Sequence, residues 1–330
     1  MSANAFLLAL LNALSQLLVM EALLSRLKAY PCTRQLVTAV LNLMPDHAAY
    51  LEKSFRDRSA ATIRLTEQSA HFITAIEHGA VERLAQGYRW LCSMIQEEEL
   101  HFRRTNCYRN TSFTAVDAAI YQNHVGMTQY MDGLLASEVL WIQHARAMDF
   151  FVNTFLAKLP PHARHLEVGP GHGLLFYYSA LHPHCASLTG WDISPASLQQ
   201  TAACMEMMKV KLPLMLETQD IMKPPTVDRP WDSIVISEVL EHLEDPLGAL
   251  KNLRRCISDH GLLYMNVPVN APTIDHIHLF STPEEAFAMV EKAGFIVDEL
   301  LLAPGAGHTL TKARKISGSI TVALIARPAS

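Results

Sequence analysis

The chain has 330 residues, enough for two domains, and a net charge of −5 at pH 7, which gives no general attraction for a nucleic-acid backbone. Its six cysteines lack C-x-x-C spacing, which excludes a zinc-finger pattern and suits a reducing, cytoplasmic compartment. Residues 5–24 are almost wholly apolar, yet Asn12, Ser15, Gln16 and Glu21 interrupt the run and no Lys or Arg precedes it. A signal peptide needs a basic start and a membrane span a cleaner stretch. The run therefore predicts a buried helix in a subunit interface, hence a homodimer that does not enter a membrane.

Helical periodicity continues to about residue 135. Within it Val81 to Glu98 reads as one helix, and His101 to Thr111 alternates large and polar residues as a small hairpin does. Helix plus hairpin predicts a winged-helix module. Such modules bind DNA or dimerise, and Glu97, Glu98 and Glu99 on the would-be recognition helix repel phosphate. Dimerisation and a share in a substrate pocket is the expected role of residues 1–135. A linking helix over 137–159, carrying Trp141, Gln143, His144 and Arg146, is expected to lead into a second domain over 136–330 and to stop at Pro160-Pro161.

The second half alternates strand and helix signals. The run from His165 to Gly173, H-L-E-V-G-P-G-H-G, sets an acid before three alternating glycines behind a short apolar stretch. Glycines there let the backbone turn sharply and approach a ligand where a Cβ would clash. Leu174 stands where the dinucleotide fingerprint requires its third glycine, so a pyrophosphate is not the expected ligand. Ala186 to Trp191 predicts a second strand ending in Asp192, at the separation where an acid meets a ribose. Thr218-Gln219-Asp220-Ile221 closes a third apolar segment. Trp231 to Ser237 reads as a buried strand, and Asp245-Pro246 starts a helix through Leu250 and Leu253. Gly261–Val269, Phe295–Leu302 and Ser319–Ala326 complete the strands.

The E-x-G-x-G-x-G motif with Asp192, Asp220 and this strand order resembles the class I S-adenosylmethionine (SAM) methyltransferases. The resemblance covers about residues 150–330. It implies an α/β fold: a Rossmann-like, doubly wound sheet closed by an antiparallel hairpin and preceded here by a mainly helical domain. It also implies SAM as cofactor, held by Glu167, Gly169, Gly171, Gly173, Asp192, Ile193, Asp220, Ile221 and Ser237, with Asp192 on the ribose hydroxyls.

Acceptor chemistry is expected at the carboxyl ends of strands four and five. If Ser237 to His242, S-E-V-L-E-H, makes one helical turn, Glu238, Glu241 and His242 share a face. Asp275-His276-Ile277-His278 follows strand five, and the two runs together make a candidate metal site with His242 and Glu238 as catalytic candidates. The E-x-x-E-H pattern resembles ubiquinone-pathway catechol O-methyltransferases and small-RNA 2′-O-methyltransferases. That resemblance implies Glu238, Glu241, His242 and His278 as ligands of one divalent ion, iron, manganese, cobalt or zinc rather than magnesium. The choice between His276 and His278 stays open, as does a metal-free role for His242. Arg146, Lys312, Arg314 and Lys315 are candidate partners for a substrate carboxylate. The expected activity is methylation of a small organic metabolite with adjacent oxygens, such as a catechol, hydroxy-carbonyl or α-keto acid. An RNA 2′-O-methyltransferase and a SAM-binding winged-helix regulator are the rival readings.

Overall fold

A computed structural model describes residues 3–121, 124–226 and 229–329. The chain divides into two compact units, one of residues 1–93 and 124–145, the other of residues 94–123 and 146–330. This differs from the expected single boundary near 135. A segment of the N-terminal half, 94–123, belongs to the unit that carries the sheet.

The first unit is helical: α1 (Ala3–Arg26), α2 (Pro31–Leu43), α3 (Ala48–Arg56), α4 (Ala60–Ile76), the first half of α5 (Val81–Thr105) and, after the short α6 (Phe113–Val116) of the other unit, α7 (His124–Leu140). Leu23, Leu27, Leu36, Val40, Leu51 and Ile73 are fully buried at its centre. Pro31 opens α2 without a cap of its own. Glu67 of α4 supplies one: its carboxylate accepts from the Cys32 and Thr33 amides and the Thr33 hydroxyl at 2.7–2.9 Å, placing negative charge on the positive end of the helix. α5 and α7 cross closely at Gly87 and Gly133, where a Cβ on Gly133 would stand 2.7 Å from the Gly87 carbonyl oxygen. On α1, Leu14, Leu17 and Leu18 are exposed within the single chain. No helix among the described residues is long and apolar enough to cross a membrane.

The expected hairpin at 101–111 is absent. α5 instead runs on to Thr105, with Glu99 and Arg103 paired one turn apart and Phe102 buried. Alternation of large and polar residues over so short a span satisfies a helix with one buried Phe as well as a strand, and the i,i+4 ion pair favours the helix. Residues 106–112 carry no strand, so no wing exists among the described residues. The linking helix is also broken. α7 ends at Leu140, α8 spans Ile142–Phe150, and π- and 3₁₀-helical turns carry the chain to Lys158.

The second unit holds seven strands: β1 (Ala163–Val168), β2 (Cys185–Asp192), β3 (Leu214–Thr218), β4 (Trp231–Ser237), β5 (Ile257–Val269), β6 (Phe295–Pro304) and β7 (Ile320–Pro328). They are ordered β3-β2-β1-β4-β5-β7-β6, parallel from β1 to β5, with β7 antiparallel to both neighbours. Helices α9 (Leu174–Leu181), α10 (Pro195–Met207), α11 (Pro246–Arg254), α12 (Pro283–Lys292) and α13 (Leu310–Lys315) connect them. The stretch from Gln219 to Pro230 lacks a crossover helix among its described residues. Leu166, Ile234, Ile236, Leu250, Leu253, Leu263, Val267, Val322 and Leu324 are fully buried in one core, so β1, β4 and β5 form the rigid centre of the sheet. Parallel pairing aligns Val168 with Trp191 and Ile236, Asp192 with Thr218, and Ser237 with Asn266. The loops that leave these strands therefore open at one end, where Gly169, Asp192, Asp220, Ser237 and Glu238 end or follow β1 to β4.

Candidate active site

Gly169, Gly171 and Gly173 have φ of +67°, +52° and +77°, the left-handed region that side chains disfavour. A Cβ on Gly169 would approach Val239 Cγ2 to 2.7 Å, so the turn is fixed by space as well as by dihedral. Gly169 N–H donates to the Trp191 carbonyl at 2.7 Å, and Thr201 Oγ1 of α10 donates to the Gly171 carbonyl at 2.8 Å. Glu167, at the end of β1, is buried, and its Oε2 accepts no hydrogen bond. Burial pushes its carboxyl well above the ordinary range.

Asp192 ends β2 half-exposed. Its Oδ1 accepts from Ser194 N at 2.8 Å and its Oδ2 from the Ser197 hydroxyl at 2.7 Å. The helix cap itself is Ser194, which accepts from Ser197 N, so Asp192 is oriented by the helix start without being its cap. Ile193 beside it is 50 % exposed, an apolar surface next to an acid. Asp220 accepts from Met222 N and pairs with Lys223 Nζ at 3.3 Å, whereas Ile221 is buried with its carbonyl held by Asn252 Nδ2.

At β4 the expected helical turn does not include Glu238. Glu238 takes φ +54° and only Leu240–His242 form a 3₁₀ turn. Its side chain nevertheless stays beside that of Glu241, the two carboxyls lying within hydrogen-bond reach. Asn266 of β5, paired across from Ser237, donates through Nδ2 to Ser237 Oγ at 3.1 Å and to Glu238 Oε1 at 3.0 Å.

Glu241 is completely buried, with no amide, hydroxyl or cationic side chain donating to its carboxyl oxygens; the Glu238 carboxyl lies within hydrogen-bond reach, so a bond between the two acids needs a proton on one of them. His242 Nε2 stands 3.8 Å from its Oε1. Burial, and then the charge of Glu238, push the Glu241 carboxyl upward; burial raises Glu238 as well. His242 Nδ1 lies 3.0 Å from the Asp275 carbonyl, and His276 Nδ1 lies 2.8 Å from the Ala271 carbonyl. A carbonyl only accepts, so each ring carries its proton on Nδ1, and in the neutral form each presents a lone pair at Nε2. Burial lowers His276 to about 4, which keeps it neutral. Ligand atoms of Glu241, His242 and His276 all lie within 4.8 Å of one another.

His276, rather than His278, completes this group. The amides of Ile277 and His278 both donate to the Glu241 carbonyl at 2.9 Å, docking the loop backbone on the 3₁₀ turn. The His278 ring lies edge-on to Phe280, with a centroid distance of 4.7 Å and a buried Nε2 that makes no hydrogen bond. Glu238 is also outside the three-residue group. Arg314 is engaged by Glu284.

Two residues of the site were not expected from the sequence, Asn266 and Tyr108. Asn266 was signalled only by lying beside Ser237 on the neighbouring strand. Tyr108 Oη accepts from Ala271 N at 3.2 Å, and its ring lies 5.7 Å from that of His276.

Residues 140–300 match the family described as a methyltransferase domain. This segment is a methyltransferase domain, and its sheet has the class I SAM-dependent methyltransferase arrangement. Among solved structures it is similar to the N-methyltransferase NodS from Bradyrhizobium japonicum, at 19% identity over 56% of this chain and 95% of that one, with a TM-score of 0.44. It is also similar to a SAM-dependent methyltransferase from Aquifex aeolicus, at 16% identity over 54% and 92% of the two chains, with a TM-score of 0.41. A third neighbour, the cyclase SpnF, is 16% identical over 57% and 83%, with a TM-score of 0.46. A search of curated proteins finds no match.

The raised carboxyl of Glu167 has a pH consequence in this methyltransferase domain. An acid that holds its proton more tightly folded than unfolded stabilises the fold below its ordinary range near 4.5 and loses that contribution as pH rises toward the folded value. Glu167→Gln should therefore gain about 1–3 kcal/mol over wild type at pH 8, with the gap closing toward pH 4. Urea unfolding of the ligand-free proteins at both pH values checks this.

Proposed function

We propose that the chain transfers a methyl group from SAM to a small organic acceptor held against Glu241, His242 and His276. The observation that carries this reading is Glu241: a completely buried carboxyl set against the Glu238 carboxyl and beside two imidazole lone pairs, after the carboxyl end of β4. A buried carboxylate is costly unless a cation compensates it.

SAM, when bound, supplies an electrophilic methyl on a sulfonium. Gly169, Gly171 and Gly173 give it a backbone surface without side chains, and Asp192 offers acceptor lone pairs to ribose hydroxyls. Ile193 and Ile221 border that end, with Asp220 beside them. Glu167, near the end of β1, and Ser237, at the end of the neighbouring β4, are the remaining candidates for binding SAM.

The donor set also fits a divalent ion. Two Nε2 atoms whose rings are fixed by Nδ1–H bonds to carbonyls, with one buried carboxylate, make a two-histidine, one-carboxylate group. When bound, such an ion polarises acceptor oxygens and lowers the cost of removing a proton. Mixed imidazole and carboxylate ligands favour iron, manganese, cobalt or zinc over magnesium. Glu241, His242 and His276 would hold it, and Glu238, steadied by Asn266, would stand next to the acceptor. Without an ion, His242 Nε2 is the base available to take a proton from the acceptor. Adjacent oxygens, as in a catechol, a hydroxy-carbonyl or an α-keto acid, are the acceptor class this set suits.

The exposed leucines of α1 support a homodimer, and six free thiols are consistent with a cytoplasmic setting. The regulator reading has no wing to rest on. An RNA acceptor would call for a basic channel that the acidic chain does not favour.

Asp192→Ala should lower SAM affinity at least tenfold, by loss of charge-assisted bonds of about 1.5–3 kcal/mol each. Isothermal calorimetry on the folded variant reads this, and unchanged affinity overturns the assignment. Dialysis against EDTA followed by cobalt(II) titration should show one site per chain in wild type and none in His242→Ala, with SAM affinity kept in both. No cobalt site in wild type leaves His242 as the base. Sedimentation at micromolar concentration should find a dimer, and Leu17→Glu with Leu18→Glu should yield monomer.

A further inference from the structure

Residues 106–116 follow α5 and cross the loop that carries His276, within the sheet-bearing unit. Four contacts hold this strap. Arg109 Nε donates to both oxygens of the buried Glu98 at 2.9 and 3.2 Å, and Asn110 Nδ2 donates to the Ile274 carbonyl at 2.7 Å. Phe113 N donates to Glu244 Oε1 at 3.0 Å, and Tyr108 Oη accepts the Ala271 amide at 3.2 Å. Tyr108 is 5% exposed, and its ring stands between Phe102, at 5.9 Å, and His276, at 5.7 Å. His276 in turn lies edge-on to His242 at 5.0 Å.

Ala271 links these groups. Its N–H goes to Tyr108, and its carbonyl takes the Nδ1–H of His276. The adjacent carbonyls of Ile274 and Asp275 are taken by Asn110 and by His242. The loop from 271 to 276 is thus held at both ends, by a segment more than 160 residues earlier in the chain at one side and by the 3₁₀ turn of Glu241 at the other.

We propose that Tyr108 is a positioning residue of the acceptor site: its hydroxyl fixes Ala271 and its ring backs His276, so that the His276 lone pair at Nε2 is presented to Glu241 and His242. The proposal rests on the acceptor site described above. It concerns the imidazole's orientation, which exists with or without an ion. Groups that orient a ligand histidine through its second nitrogen commonly change metal affinity by about 10–100-fold when lost, and Tyr108 acts one step further out, through the carbonyl's own residue.

The test uses full-length, EDTA-treated protein with nitrogen-15-labelled histidine. Long-range proton–nitrogen spectra should show His276 as a single Nδ1–H tautomer in wild type. In Tyr108→Ala both tautomers should be populated, while His165, buried between Ser233 and Ser179, keeps its wild-type signals as a reporter of the fold. Tyr108→Phe retains the ring and loses the acceptor, so Ala271 amide exchange should accelerate at least tenfold. Should Tyr108→Ala fail to fold, that exchange rate decides. An unchanged His276 tautomer in Tyr108→Ala, or unchanged Ala271 exchange in Tyr108→Phe, overturns the proposal. Where wild type takes up cobalt(II), Tyr108→Phe should bind it about tenfold more weakly with SAM affinity unchanged, and equal cobalt affinity counts against Tyr108. Absence of cobalt binding in wild type overturns the metal reading alone, because the tautomer and exchange measurements still decide Tyr108.

Discussion

Two carboxyls sealed from water against each other cannot both ionise cheaply, and Glu241 with Glu238 is such a pair. Its position follows from features that are individually ordinary. β4 and β5 pair in parallel at the centre of the sheet, the chain turns out of β4 through a left-handed Glu238, and a 3₁₀ turn then points Glu241 inward. The His276 loop is built around the same turn, since two of its amides donate to the Glu241 carbonyl. The carbonyl of Glu241 is thus doubly used, while its side chain meets the Glu238 carboxyl. Such an arrangement holds its carboxyls protonated until a cationic partner displaces the proton.

Much of the sheet was legible in the sequence because its signals are local. Three glycines in the left-handed region can be read from their spacing, and so can an acid at the end of an apolar run. The acids and the glycine turn then meet because parallel strands carry their carboxyl ends to one side. The misread element was the end of α5, where a short alternating run fits two periods equally and the deciding interaction is a pair four residues apart, Glu99 with Arg103. The choice between His276 and His278 was not legible for another reason. In a loop there is no period, and the loop's orientation is set by Ala271, Asp275 and the Glu241 carbonyl, none of which has a pattern in sequence. Glu238 comes beside Glu241 by a route other than helical spacing, because a residue with φ +54° interrupts helical backbone.

The two ends of the crevice solve the same electrostatic problem differently. At Asp192 the carboxylate is already satisfied by Ser194 and Ser197, so a hydroxyl-bearing ligand meets an acid whose orientation is fixed before binding. At Glu167 and Glu241 the carboxyls are buried and lack such partners, and burial answers by raising their affinity for protons. A ligand that carries positive charge displaces that proton or compensates the carboxylate; one that carries none does neither.

That asymmetry orders the proposed cycle. A sulfonium cofactor brings positive charge into a crevice that holds Glu167, Glu238 and Glu241, and methyl transfer removes the charge from sulfur. The product cofactor is therefore held less well by these acids than the substrate cofactor. A neutral acceptor gains a methyl and loses a proton in the same event, so the site must also pass one proton outward. Without a bound ion, His242 is the group best placed to carry that proton, because its ring is fixed by the Asp275 carbonyl, it remains partly exposed, and the imidazole behind it, His276, is held neutral by burial. Chemistry and proton exit thus share one residue at the edge of an otherwise closed cluster.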